Sequence, residues 1–387
     1  MTLETIYYFD HAAATPLDDR VLAAMLPYFS AQFYNPSSPY AQALQVRRDY
    51  QAAKATLAQA IGAKADEITI TAGATESINL ALSSIDGHVV TSNIEHHAVL
   101  EAARRGDHTW VAADQHGSVS AESVKQAIRP DTQLVSIAIA NNELGTVQPL
   151  RAIAGVIGEE RERRRSAGDT TPIYLHSDAS QGVGQLDIQV ARLGIDLLTL
   201  NAGKIYGPKQ VGLLWASTHV QLQPAIVGGG QENGLRSGTE NVAGTIGFAR
   251  ALELASKHRK SESERLLELR DGLQKKLTAA FSEAVISGHP KRRLPGHLHI
   301  SFPGIDAERL VFALERRGVL VATGSACAAN KNTRSHVLTA IGLSDEVADG
   351  SLRLTLGHLS TAESVAVGGD IIIEEVARET TRMDHTS

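Results

Sequence analysis

One cysteine occurs among the 387 residues, Cys327, in the run Thr323-Gly324-Ser325-Ala326-Cys327-Ala328-Ala329-Asn330. A single thiol cannot close an internal disulfide. Structural cysteines are usually buried among apolar neighbours, whereas small and polar residues surround this one, which suits a thiolate that reacts. On the cysteine alone, a small residue on a tight turn is an equal reading. Lys204 follows the apolar run Thr199-Leu200-Asn201-Ala202-Gly203 and precedes Ile205-Tyr206-Gly207-Pro208-Lys209. A lysine amine held at a strand end can condense with an aldehyde to a Schiff base. Asp178 ends Tyr174-Leu175-His176-Ser177, and a carboxylate at the carboxyl edge of a sheet stands where ligands bind. Ala74 and Thr75 follow a short apolar run and open a helical one, so backbone N–H groups and a hydroxyl there can hold an anion. His96, in Glu95-His96-His97, can stack on a flat ring and move protons near neutral pH. Asn142, in Asn141-Asn142-Glu143-Leu144-Gly145, can hydrogen-bond a phenolic oxygen. Taken singly, each has a plainer reading: a helix N-cap for Asp178 and Thr75, a solvated lysine, a surface histidine pair.

Their positions follow from the elements that must carry them. Apolar runs at 67–71, 88–92, 134–140, 173–177, 197–200 and 212–215 predict strands, and the segments between most of them are long enough for helices. Residues 47–61 show helical periodicity. This alternation predicts right-handed βαβ units and a mostly parallel sheet flanked by helices. Residues 249–282 predict one long charged amphipathic helix bridging two domains. Beyond it come a strand at 297–302, a helix at 307–317, the cysteine run and a strand at 351–356. Residues 17–255 are therefore expected to form a large domain, and residues 1–16 with 256–387 a smaller α/β domain carrying Cys327. The fold class is α/β.

Composition bounds the partners. The net charge is −6, whereas a general nucleic-acid or anionic-membrane binder is normally basic, so no direct nucleic-acid binding is expected. No apolar run approaches the ~20 residues of a membrane span. Residues 1–9 show no basic segment followed by an apolar one, and with one cysteine this fits a reducing, cytoplasmic setting.

In order and spacing these runs resemble one family along almost the whole chain. To those above are added Tyr8-Phe9-Asp10-His11-Ala12-Ala13-Ala14-Thr15-Pro16, Asn35-Pro36-Ser37-Ser38, Asp178-Ala179-Ser180-Gln181, Arg236-Ser237-Gly238-Thr239-Glu240-Asn241 and Ser351-Leu352-Arg353. The set resembles the fold-type I pyridoxal phosphate enzymes, and among them the cysteine desulfurases of the class V aminotransferase group. The distance from Cys327 to Ser335-His336-Val337-Leu338 is similar to that in the longer-loop members, including those of iron–sulfur assembly and of DNA phosphorothioate modification. The resemblance implies conversion of L-cysteine to L-alanine, with the sulfur caught on Cys327 as a persulfide and passed to a reactive thiol of an acceptor protein.

Residue by residue, it implies that Lys204 carries pyridoxal phosphate as a Schiff base and that Asp178 pairs with the ring nitrogen. Asn142 and Gln181 would contact the ring's phenolic oxygen, and His96 would stack on the ring. Ala74, Thr75 and Asn201 would bind the phosphate, with Thr239 arriving from the second subunit of a homodimer. Asn35 and Arg353 would hold the substrate carboxylate, and no metal is expected. Two departures stand out. The family usually has Ser-Gly-His-Lys where this chain has Asn201-Ala202-Gly203-Lys204, so one phosphate ligand has no side chain here. The family's Gly-Asn-Pro-Ser-Ser-x-His becomes Tyr34-Asn35-Pro36-Ser37-Ser38-Pro39-Tyr40. A selenocysteine lyase or transaminase on the same scaffold, and a cofactor-binding protein without turnover, are the rival readings. A transaminase has no need of Cys327.

Overall fold

The computed structural model describes residues 6–324 and 334–384. The described strands are β1 (Tyr7–Tyr8), β2 (Ile68–Thr71), β3 (His88–Ser92), β4 (His108–Val111), β5 (Thr132–Ser136), β6 (Tyr174–Asp178), β7 (Leu197–Asn201), β8 (Gly212–Ala216), β9 (Val285–Ser287), β10 (His297–Ser301), β11 (Val319–Leu320) and β12 (Ser351–Thr355). Seven make one sheet in the order β2-β8-β7-β6-β5-β3-β4. All its pairings are parallel except the two made by β8. This is the expected α/β architecture. Apart from β4, whose first three residues are half-buried, the strands are almost wholly buried on both faces, as in covered parallel sheets.

The expected strand at 134–140 ends four residues early. Past Ser136 the chain no longer pairs with β3, because the Ala138 N–H donates to the Glu95 carboxylate. It stays on β6 through Ile137 N–H to His176 O and Ile139 N–H to Asp178 O. The long helix was expected from 249 and begins at Val242, capped by the Asn241 side chain. Gly244 and Gly247 in its first turns obscure that start in the sequence.

A second sheet, β12-β10-β9, is antiparallel, and β1 pairs with β11. Leu298, Ile300, Leu352 and Leu354 on one face of the second sheet join Leu310, Leu314, Ile372 and Val376 in a core of their own. His297, His299 and Arg353 lie on the other face and are equally buried. Desolvation, and then the neighbouring Arg353 charge, hold both imidazoles down at about 3. The helix Val242–Ala280 serves both cores. Phe248, Ala251 and Leu252 pack with the large sheet, and Leu266, Leu273 and Leu277 with the small one. Among the described residues no helix is long and apolar enough to cross a membrane.

The segment 226–241 is pinned by one buried carboxylate. Glu232 accepts from Lys54 Nζ at 2.9 Å, from the Ile70 N–H at 2.8 Å and from the Tyr50 hydroxyl. Removing one partner of a buried ion pair strands the other. Glu232→Ala is expected to lower unfolding free energy by about 3–5 kcal/mol, read by urea denaturation. A loss below about 1 kcal/mol would mean that water reaches Lys54.

Candidate functional site

The carboxyl ends of β6 and β7 and the N-terminal segment 10–15 enclose a cavity of about 300 Å³, lined among others by Thr75, His96, Asn142, Asp178, Lys204 and Arg353. Lys204 closes a 3₁₀ turn directly after β7. Its amine donates to the carbonyls of Ala12 and Ala13 at 2.7 and 2.8 Å, so the chain's N-terminal segment seats the lysine. Asp178 ends β6, and its Oδ1 accepts from the Ser180 N–H. The next inward residue of that strand, His176, is clamped between Ser136 and Thr199 at 2.8 and 2.9 Å. Burial lowers its pKa to about 4, which keeps it an uncharged spacer behind the Asp178 carboxylate.

His96 caps the helix His97–Ala103 by accepting the Ala98 N–H at Nδ1. In the neutral ring the proton therefore sits on Nε2. Desolvation holds this imidazole below the ordinary histidine range, Asp178 opposes that shift, and Lys204 adds to it. Glu95 beside it is fully buried, and its carboxylate accepts from Ser92 Oγ and the Ala138 N–H. Desolvation raises its pKa to about 7, helped by the Asp178 charge.

The other end of the cavity suits a phosphate. The helix Ala74–Ser83 starts at Gly73, whose φ is +128° and which brings no side-chain cap, leaving the first-turn N–H groups to a ligand. Asn201 accepts the Gly203 N–H at Oδ1, which leaves its Nδ2 as a donor. Of the asparagine pair, Asn141 is spent inside the fold, donating to Ile94 O and accepting from Glu143 and Leu144. Asn142 lines the cavity, as does Gln181, whose Nε2 donates to Ala12 O at 3.2 Å.

Arg353 reaches in from β12. Asp10 Oδ1 accepts from its Nη2 at 2.7 Å and Asn142 O from its Nη1 at 3.2 Å, while Nε has no partner among the described residues. Asp10 escaped the sequence reading because its role depends on two distant strands meeting. So did the two carbonyls under Lys204, since backbone acceptors leave no trace in side-chain identity.

The structure therefore brings together Ala74, Thr75, His96, Asn142, Asp178, Gln181, Asn201, Lys204 and Arg353. Two expected residues stand apart from this cavity. Asn35 is exposed and turns its Oδ1 back to the Ser37 N–H, and Thr239 is exposed on the segment that Glu232 pins. Cys327 lies outside the described residues. Among the described residues no cluster could hold a metal ion.

The raised carboxyl gives a signed test. Glu95 is protonated more readily in the fold than in the unfolded chain, so its contribution is fully present below pH 4.5 and is lost as pH rises through about 7. The stability of Glu95→Gln relative to wild type should therefore increase by roughly 3 kcal/mol between pH 4.5 and 8, measured by denaturant titration. A pH-independent difference would mean that the carboxyl is hydrated.

The chain matches the aminotransferase class-V family over residues 7–367. It is 40% identical to the cysteine desulfurase IscS 1 of Archaeoglobus fulgidus over 370 residues, 92% of this chain and 94% of that one. The fold is similar to that of a NifS-like protein, with TM-score 0.88 and 32% identity, covering 96% of this chain and all of the other. It also resembles DndA from Streptomyces lividans, with TM-score 0.72 and 32% identity over 89% and 98% of the two chains.

Proposed function

The chain belongs to the aminotransferase class V family, and from that premise we infer a pyridoxal phosphate-dependent cysteine desulfurase that converts L-cysteine to L-alanine and passes the sulfur to an acceptor protein. The observation that carries this reading is the cavity itself. One amine, one carboxylate, one imidazole and one uncapped helix N-terminus ring about 300 Å³, with a buried guanidinium beside them. That donor set fits an aldehyde, a ring nitrogen and a phosphate on one planar cofactor. When bound, pyridoxal phosphate supplies an electron sink for charge developing at the substrate Cα.

The residues divide the remaining work. Lys204 would hold the cofactor through its amine, and with substrate seated that amine would serve as the base for the Cα proton. Asp178 keeps the ring nitrogen protonated. His96 lines the same cavity and would serve the ring, with Nε2–H available for proton transfer. The first turn of the helix Ala74–Ser83, Thr75 and Asn201 Nδ2 bind the phosphate, and Asn142 and Gln181 serve the phenolic oxygen. Arg353, held in place by Asp10, takes the substrate carboxylate, and Asn35 adds to this grip. The Cys327 thiolate attacks the substrate sulfur. Its S–S bond forms as the substrate C–S bond breaks, and L-alanine leaves. The persulfide then moves to a partner's thiol, in iron–sulfur assembly or DNA phosphorothioation.

The assembly we propose is a homodimer in which Thr239 completes the other subunit's phosphate site. Phe29, Phe33 and Val227, exposed by 63%, 66% and 79%, supply an apolar surface for it. The two main cores favour a division into residues 17–255 and residues 1–16 with 256–387, with Ile94 and Leu144 packing on Val337 and Leu338 across the boundary.

Cys327→Ser is expected to keep the cofactor band and bind cysteine but to release no alanine. Wild-type protein treated with cysteine should gain about 32 Da on the Cys327 peptide, and Lys204→Ala should lose borohydride-fixed cofactor. Alanine release at near the wild-type rate from Cys327→Ser would make the thiol incidental.

Gly203 gives a second test. Its backbone is unstrained, and a Cβ there would lie 3.4 Å from Asn201 Oδ1 and 3.6 Å from Lys209 Cγ, ordinary contact distances. Gly203→His should therefore fit and add a phosphate donor worth roughly 1.5–3 kcal/mol. It is expected to retain cofactor through dialysis that strips the wild type. Equal retention would show that another donor already fills the position.

A further inference from the structure

Lys204 borders a second cavity, of about 60 Å³, on the far side of the wall formed by Ala12, Ser180 and Gln181, which line both. Four buried polar atoms of this rear chamber's lining have no partner among the described residues: His11 Nε2, Ser180 Oγ and both ring nitrogens of His297. These residues are 6%, 5% and 2% exposed. Buried polar atoms in native proteins find partners, and this chamber has room for at least two waters at roughly 30 Å³ each.

The geometry of His11 is specific. Its Nδ1 lies 3.0 Å from the Thr355 carbonyl, which can only accept, so Nδ1 carries the proton and Nε2 offers a lone pair. No side chain fits at Gly357, where a Cβ would overlap both His11 and the Tyr206 hydroxyl. On the outer side, exposed His358 stacks on half-buried Tyr206 at 4.1 Å between ring centres and stands 3.7 Å from Glu262.

We propose that the rear chamber is a water-filled proton passage connecting Lys204 to solvent, with His11 as its relay. This rests on Lys204 being the cofactor lysine. The Lys204 ammonium, having taken the substrate's Cα proton, gives one proton to a chamber water as that water gives one to His11 Nε2. Lys204 returns to the neutral amine and His11 carries the charge. His11 then releases the proton through water past Glu262 and His358, and no other bond changes. Desolvation keeps His11 below the ordinary histidine range, so at neutral pH it rests unprotonated and ready to accept. Substrate can meanwhile remain seated in the front cavity.

Two measurements test the passage. A high-resolution crystal structure of the wild-type holoenzyme should show ordered water between Lys204 and His11 Nε2, and a dry chamber would overturn the proposal. The second uses L-cysteine deuterated at Cα and reads the deuterium retained in product alanine by mass spectrometry. Ala255 also lines the chamber, and Ala255→Val narrows it while replacing no titratable group. His11→Gln preserves donor and acceptor but cannot relay a proton. Both variants should retain at least threefold more deuterium than wild type. Equal retention in all three proteins would overturn the passage, whereas a wild type that releases no alanine would overturn the desulfurase reading instead.

Discussion

The contact on which the site depends is the seating of the Lys204 amine on two carbonyls from the other end of the chain. Residues 10–15 cross between the two sheets, and nearly every polar group there has a structural task. Asp10 holds Arg353, His11 and the Ala12 N–H bind Thr355, Ala12 and Ala13 hold Lys204, and Thr15 meets Gly203, Tyr206 and Lys209. The amine comes from the turn after β7 and the guanidinium from β12. The two strands belong to different sheets, and this strap bonds to groups from both.

The interior around the strap is polar and largely uncharged. Burial depresses the imidazoles of His176, His297 and His299 and raises the carboxyl of Glu95. Glu143 shifts the same way, with Ser335 and Arg353 opposing. Charge inside a protein is costly unless paired, so neutralising the surroundings concentrates the field on Asp178, Lys204 and Arg353. The Asp10–Arg353 pair keeps the guanidinium compensated at 2% exposure.

Much of this was legible in the sequence where the signal is local. The strands at 88–92, 197–200 and 212–215 read directly from apolar runs, and Lys204, Asp178 and Thr75 read from their places at element ends. Signals that depend on tertiary contact were silent. The early end of β5 is decided by Glu95, far away in sequence. The short β1, β9 and β11 carry too few residues for periodicity, and β4 contains the polar His108 and Thr109. Asp10, His11 and Ser180 were legible only as parts of a motif, because their partners lie on strands the sequence does not place beside them. The family pattern reached Thr239 and Asn35, but a single chain gives them no partner in the cavity.

The helix Val242–Ala280 has a consequence for how the molecule can come apart. At ~1.5 Å per residue it is a rod nearly 60 Å long, embedded at one end in the large core and at the other in the small one. Helices are marginal without packing, so melting either core strips half the rod of its support and exposes its apolar stripe. The two cores are mechanically one object, joined by a shared beam rather than a hinge peptide. An excised half would carry a bare helical end in search of a partner, which favours swapping between copies over independent folding.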